Sequence, residues 1–229
     1  MTYLQLINGI LTRMRESTIA ASAITQNYPS LVGTFINDAK AEVEGAWQWK
    51  ALRHEMTFTT VAGQTDYECF SGGDATGSRY TNEESKLLYS ADGLPLVFDT
   101  TNDAHLYEVP LETLESWRAA GVSSSNQKPY TFSVLRSADG LTLRIYPAPD
   151  GAYAMSARFF TPQAELSAAA DVLLAPTRPV RQLAYALALE ERGSGQGSRA
   201  EAIRRNAYIA LGDLITREAG DAELQLNPC

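Results

Sequence analysis

The segment Ala46-Trp47-Gln48-Trp49-Lys50, followed after five residues by Met56-Thr57-Phe58-Thr59-Thr60-Val61, decides the fold. Before it, apolar residues recur at helical spacing. From Arg53 the period changes to two, with Met56, Phe58 and Thr60 alternating against Thr57, Thr59 and Val61. Helical periodicity returns only toward the other end of the chain. This order predicts an α+β protein, in which N- and C-terminal helices form an antiparallel bundle around a central antiparallel β-sheet or sandwich insertion. The expected boundaries are residues 1–52 and 163–219 for the bundle, 53–162 for the β-rich insertion and 220–229 for a flexible C-terminal tail.

Upstream of the switch, Thr2 is placed to cap a helix over residues 2–16, with Leu4, Ile7, Leu11 and Met14 on one face. Pro29-Ser30 opens a second helix with Ser30 as its N-cap. Its apolar stripe is Leu31, Phe35, Ala39, Val43 and Trp47, with Ile36 beside it, and Asp38, Lys40, Glu42 and Glu44 fall on other sides. Trp47 and Trp49 point to different sides of the helix end, so that one caps the helical core and the other covers the start of the sheet. Downstream, helices are expected over 177–192 and 199–217. Val180, Leu183, Ala184, Leu187 and Ala188 share one face of the first; Ile203, Ala207, Leu211, Leu214 and Ile215 share one of the second. The linker over 193–198 is short, which makes the two helices an antiparallel hairpin.

Within the insertion, Ala62-Gly63-Gln64 turns the chain into a strand over 65–70. Ser71-Gly72-Gly73-Asp74-Ala75-Thr76-Gly77-Ser78 has little to bury and reads as an exposed loop. Short strands are expected at 87–89, 94–98 and 105–109. A short helix at 110–117 carries Glu112 and Glu115 near its positive end, and a second flexible loop follows at 121–128. Strands over 130–135, 141–146 and 153–160 are expected to form a meander. Its turns are Ala138-Asp139-Gly140 and Pro147-Ala148-Pro149-Asp150-Gly151.

A chain of 229 residues buries roughly 70% of its unfolded surface and needs neither disulfide nor metal to fold. Its two cysteines are Cys69, beside Tyr67 and Phe70, and Cys229, the last residue. Both read as free thiols from a reducing compartment. Met1-Thr2-Tyr3-Leu4-Gln5 shows no basic segment ahead of an apolar run, and no stretch approaches the ~18 apolar residues of a membrane span. The expectation is a protein made in a cytoplasm and used there or inside a particle assembled there, without a membrane partner. The net charge is −8. Arg178/Arg181 and Arg199/Arg204/Arg205 are interleaved with Glu, as on solvated helix faces rather than a phosphate-gripping stripe. An acidic surface instead raises the cost of close approach by DNA.

Candidate chemistry is thin. Gly193, Gly195 and Gly197 join two helices rather than a strand and a helix, and no Lys-Ser/Thr follows, so they read as a turn and not a phosphate cradle. His54 and His105 have no second His or Cys at ligand spacing. Cys69 lies outside any nucleophile-elbow or papain-like context. Glu83-Glu84, Asp99/Asp103 and Glu190-Glu191 read as solvated carboxylates. No catalytic residue, metal or cofactor is expected.

The chain resembles the head-to-tail adaptor (connector) proteins of tailed bacteriophages, including the tail tubular adaptors of short-tailed phages. Three features carry the resemblance, in order. The first is the opening Tyr3-Leu4-Gln5-Leu6-Ile7-Asn8 helix, then the longer one ending Asn37-Asp38-Ala39-Lys40-Ala41-Glu42-Val43-Glu44 and the Trp47/Trp49 pair. The second is Leu143-Arg144-Ile145-Tyr146-Pro147-Ala148-Pro149-Asp150 with Phe159-Phe160-Thr161-Pro162. The third is Leu173-Leu174-Ala175-Pro176 before Leu183-Ala184-Tyr185-Ala186-Leu187-Ala188. The resemblance implies a homo-oligomeric ring of about a dozen copies, a 12-subunit ring, beneath the portal protein of the virion. It also implies a channel that genomic DNA crosses without specific binding, and a lower surface for the next tail or nozzle component. No catalytic residues come with it. It gives Leu224, Gln225, Leu226 and Asn227 a role in portal contact. The loops at 71–78, with Gly72, Gly73 and Asp74, and at 121–128 become candidates for contacts with neighbours or the tail.

Two other classes compete. A ligand-binding β module for carbohydrate or peptide, carried on helices, predicts a monomer with a concave aromatic site around Tyr80, Tyr89 and Tyr130. An enzyme predicts an accessible, perturbed Cys69 or a working carboxylate pair.

Overall fold

A computed structural model describes residues 1–121, 126–193 and 198–226. The chain divides into two compact units: Met1–Leu52 together with Gln163–Cys229, and Arg53–Pro162. The first is helical and the second β-rich, an α+β protein with terminal helices flanking a central, mainly antiparallel sheet region.

The helical unit begins with α1 (Tyr3–Arg13), where every early N–H finds an acceptor. Tyr3 N donates to Asp171 O and Leu4 N to Ala169 O, while Gln5 N donates to the Thr2 hydroxyl. Gln5 returns the bond to Thr2 N, completing a capping box. α2 (Asn27–Ala46) starts three residues before the expected Ser30 cap. Pro29 sits in its first turn, where its missing N–H costs nothing. The buried face is Val32, Ile36, Ala39, Lys40, Val43 and Glu44 rather than the strict i+4 stripe; Leu31, Phe35 and Trp47 are only half-buried. Each four-residue step turns about 40° past a full circle, so such a row drifts off any one face. Trp49 is buried and folds back on its own helix, its Nε1 donating to Val43 O at 2.7 Å. That carbonyl belongs to the last turn, which has no helical partner.

α4 (Thr177–Glu191) packs against α1, α2 and α5 (Ser198–Leu226). Its central place explains why Tyr185, Ala186 and Leu189 are buried in addition to Val180, Leu183, Ala184 and Ala188 of the expected face. α5 runs well past the expected residue 217. Residues 220–226, expected in a loose tail, continue the helix, and 227–229 lie outside the described residues. Ala200, Ala207, Ala210 and Leu211 form its buried stripe. The expected glycine turn falls largely on 194–197, also outside the described residues.

In the β unit, ten short strands make two facing sheets. β1 (Arg53–Thr59), β3 (Thr76–Gly77), β4 (Lys86–Leu87), β5 (Val97–Asp99), β6 (Ala104–His105) and β10 (Ala154–Phe160) form one, in the order β3-β1-β10-β5-β6 with β4 also on β10. β2 (Asp66–Glu68), β7 (Tyr107–Glu108), β8 (Thr131–Arg136) and β9 (Leu141–Tyr146) form the other, ordered β2-β9-β8-β7. Met56, Phe58, Val97, Met155, Ala157 and Phe159 from the first interleave with Tyr67, Phe132, Leu143 and Ile145 from the second in one core. The expected meander is half right. β8 and β9 form a hairpin, but β10 pairs with β1, β4 and β5, so residues 147–151 cross between sheets. Inward positions of β9 and β10 are both apolar, and pattern alone does not say which sheet a strand joins. The expected exposed loop at 71–78 is likewise partly built in: Ala75 is buried and Thr76–Gly77 pairs with β1. α3 (Leu111–Ala119) covers the four-stranded sheet, with Leu114 fully buried and Trp117 against Tyr146.

α1 seats closely on α2 at Gly33. A methyl group at Gly33 meets the hydroxyl of Tyr3 at 2.1 Å, and Tyr3 is buried. Gly33→Ala is expected to lower stability by about 1–3 kcal/mol through overpacking, despite its better helix propensity. Tyr3→Phe removes the clashing oxygen and recovers most of the loss, which a double-mutant cycle of denaturant midpoints reads directly. An unaltered Gly33→Ala midpoint would show that Tyr3 is not seated there.

Candidate interaction surfaces

The residues with reactive potential are occupied by structure. Cys69 is fully buried, its thiol facing Tyr67 O at 3.7 Å, and burial pushes its pKa up to about 12. A thiol so placed is neither accessible nor ionised, against the requirement of the enzyme reading. Asp99 is also fully buried. Its carboxylate accepts from Thr101 N, Asn102 N and Asn102 Nδ2 and faces Lys128 Nζ at 3.8 Å, so it organises the turn after β5. His54 is in the β1 core row, and exposed His105 lies against Phe98 with ring centroids 4.1 Å apart. Glu190 pairs with Arg204. Among the described residues no group of three His, Cys, Asp or Glu could hold a metal ion, and no described helix is long and apolar enough to cross a membrane.

The outer face of the six-stranded sheet holds shallow open clefts. One of about 450 Å³ is lined by Thr57, Thr59, Asp74, Thr76 and Thr100; another of about 280 Å³ holds Glu55, Asp99, Asp103 and Arg158. Tyr80, Tyr89 and Tyr130 line neither cleft and make no ring contact with one another. Neither cleft is the concave aromatic site of the ligand-binding reading.

Gly72, Gly73 and Asp74 are the expected contact residues whose setting is described in full. Gly72 has a positive φ of 87°, which a residue with a side chain adopts at a cost. Gly73 lies so close to β2 that a methyl group there meets Glu68 O at 2.7 Å. Asp74 accepts from Glu68 N at 3.0 Å and from Gln64 Nε2 at 3.2 Å, and Ala75 N donates to Glu68 O. The loop is thus folded back along the outer edge of β2, and it occupies backbone groups that would otherwise be open to another strand. Leu224, Gln225 and Leu226 form the last turn of α5, and Asn227 falls outside the described residues, as do residues 122–125 within the expected second loop.

On the opposite edge, around β7, Tyr89, Tyr107 and Tyr130 are 48%, 59% and 45% exposed. Tyr107 N donates to Tyr130 O, and the Tyr89 hydroxyl donates to the Glu108 carboxylate. Leu94, bonded through its backbone to Ser90, is exposed beside them. Tyr107 was not distinguishable in the sequence. It sits in a strand-like run where an aromatic residue reads as core; two-residue β7, at the margin of its sheet, is too short to bury it.

Electrostatics fix α3 in place. Arg144 on β9 forks onto both oxygens of Asp66 at 2.7 Å and also binds Glu115, which pairs in turn with Arg118. The Arg144 hydrogen bonds hold the Asp66 carboxyl below its ordinary value, and its carboxylate partners raise Arg144.

A family model described as "SU10 adaptor protein" matches residues 1–227, which takes in both units. No curated protein matches the chain.

Because the folded pKa of Asp66 lies below its unfolded one, its contribution to stability is present above the ordinary value of 3.8 and lost as pH falls through the folded value. Arg144→Met, which keeps the packing stem, is expected to melt lower than the natural protein near neutral pH. Below pH 3.8 the gap should narrow, since both chains then carry a protonated Asp66. Thermal melts across that range check it, and a constant gap would mean that Arg144 acts through packing alone.

Proposed function

The chain belongs to the SU10 adaptor protein family, the structural head-to-tail connectors of phages, and we propose that it acts as one protomer of a ring between the portal protein and the tail. It is a structural virion component of the head–tail junction and not an enzyme. The full-length match carries the reading, since it spans the helical unit and the β unit together rather than either alone.

In the proposed arrangement about a dozen copies, a 12-subunit ring assembled in the host cytoplasm, surround a channel through which the genome passes. A net charge of −8 suits that role. Arg144, Arg158, Arg192 and Arg204 are each paired with a carboxylate of the same chain, which leaves them poorly placed to grip phosphates. The helix α5, at 29 residues, is about 43 Å long, whereas α4 at 15 residues is about 22 Å. Glu218 on α5 accepts from Lys50 N at 3.2 Å, so the helix is tied to its own unit that far along. Leu224, Gln225, Leu226 and Asn227 lie beyond that tie and are proposed to meet the portal, leaving another surface for the tail or nozzle protein.

Electron microscopy of the full chain mixed with portal rings from the same phage tests the proposal. An added collar with the symmetry of the portal is expected. Bare portals beside free monomers, at concentrations well above micromolar, would overturn it. In the same assay Leu224→Ala with Leu226→Ala is expected to lower the fraction of portals that carry a collar. Full occupancy by that variant would remove the C-terminal assignment while leaving the adaptor reading in place.

A further inference from the structure

We propose that the junction of α1, α4 and α5 holds a binding site for one free phosphate-class oxyanion, received by Arg13, Arg181 and Arg199 beside Tyr185. The site lies wholly within the helical unit, and the inference is independent of the ring reading above.

In the sequence, Arg181 and Arg199 read as members of solvated helix faces. The fold draws them together with Arg13, the last residue of α1. Tyr185, buried on α4, marks the meeting point. The Arg13 guanidinium carbon stands 5.6 Å from the centroid of its ring, and the Tyr185 hydroxyl donates to Arg13 O at 3.4 Å. Arg199 Nη2 donates to the same hydroxyl at 3.2 Å. Arg181 precedes Tyr185 by about one turn of α4 and shares its face. Its stem passes along α1, where a methyl group at Gly9 meets Arg181 Cδ at 4.0 Å.

Cations gathered in this way repel one another, and partial burial sharpens the repulsion. Among the described residues none of the three pairs with a carboxylate, whereas Arg192 and Arg204 of the same unit hold Glu16 and Glu190. Glu201, two residues beyond Arg199, falls on a different side of α5. Burial and then the charge of Arg181 lower the pKa of Arg13, with Tyr185 acting the other way. Arg181 is half-buried, and its enclosed Nε has no hydrogen-bond partner among the described residues. A bound oxyanion removes the repulsion, and guanidinium groups match its edges with paired N–H donors. Charge selects the class of anion. A carboxylate sets a single negative charge against three guanidiniums, whereas a phosphate group brings about −1.5 to −2 and three strong acceptor oxygens. A nucleic-acid backbone is gripped through several phosphates in a row. Three guanidiniums around one phenol, on a chain of net charge −8, provide for one.

The test melts the full chain in chloride while sodium phosphate is added at constant ionic strength. A saturable rise in melting temperature of about 2–6 °C is expected. Arg13→Gln and Arg199→Gln, both at exposed positions, are each expected to cut that rise by at least half, and together to abolish it. Arg158→Gln, in the β unit, is expected to keep it in full. A rise that does not saturate, or that survives in the double variant, is general salt exclusion and overturns the site. An equal rise with acetate overturns the assignment to phosphate. Short duplex DNA at matched phosphate concentration is expected to give no saturable rise, and one equal to that of free phosphate overturns the free-ion assignment. Should the double variant not fold, the arginine Nε–Hε nuclear magnetic resonance signals of the natural chain decide. Three signals moving along one phosphate-binding curve support the site, and a spectrum unchanged by phosphate overturns it.

Discussion

β1 and β10, the first and last strands of the insertion, pair in continuous register from Arg53 against Phe160 to Thr59 against Ala154. Antiparallel partners sit about 5 Å apart, so the chain that leaves the helical unit after Leu52 comes back beside its point of departure. Closing a long flexible loop carries an entropic cost that grows with its length. Here the β unit closes that loop as it folds, and the helices meet as if joined by a short connection. Without this pairing the buried faces of α2 and α4 would be separated by an unconstrained stretch of more than a hundred residues.

The return is secured by polar groups inside an otherwise apolar bundle. Lys40 and Glu44, one turn apart on α2, are both buried and paired at 3.2 Å. Lys40 Nζ also donates to Gln163 O, and Gln163 N donates to Glu44 Oε2. One turn earlier, Asn37 exchanges two bonds with the backbone of Leu166. Gln163 in turn grips Val172 O and Leu174 N, and residues 169–173 cap the start of α1. Breaking one member of a buried ion pair leaves a charge uncompensated, at about 3–5 kcal/mol, whereas an apolar replacement of both can be neutral. What the pair supplies is position. A greasy contact would let the irregular segment 163–176 slide along α2, and charge-assisted bonds to its backbone do not.

The alternation at 54–60 and the amphipathic runs at either end were legible because period alone decides them. The Lys40–Glu44 pair was not, since a charged residue on a helix is normally solvated and its partner Gln163 lies far along the chain. The choice of sheet for β10 was equally hidden: local turn chemistry at 147–151 suits a hairpin, and the long-range match with β1 overrides it. Of the contact candidates, the glycines at 72 and 73 read in the sequence only as part of an exposed loop, yet their described task is to hold that loop on β2. The tyrosine edge was half visible. Tyr89 and Tyr130 were singled out for a pocket, and the structure sets them with Tyr107 on a margin instead, apart from Tyr80.

That difference between the two margins bears on how copies associate. A sandwich with two open edges is a template for end-to-end strand pairing, and such pairing has no natural stopping point. Here one edge is covered by the Gly72–Asp74 turn, with Glu68 N and O both engaged. Main-chain pairing to another chain is thereby denied at β2. A contact made at that edge would run through side chains, whose strength is set residue by residue and whose geometry is directional. Contacts of that kind can be weak between free protomers and adequate once a template has aligned them, because alignment removes most of the translational and rotational cost of each further contact. A covered β2 edge is in keeping with the proposed ring, which closes, rather than with open-ended strand addition, which does not.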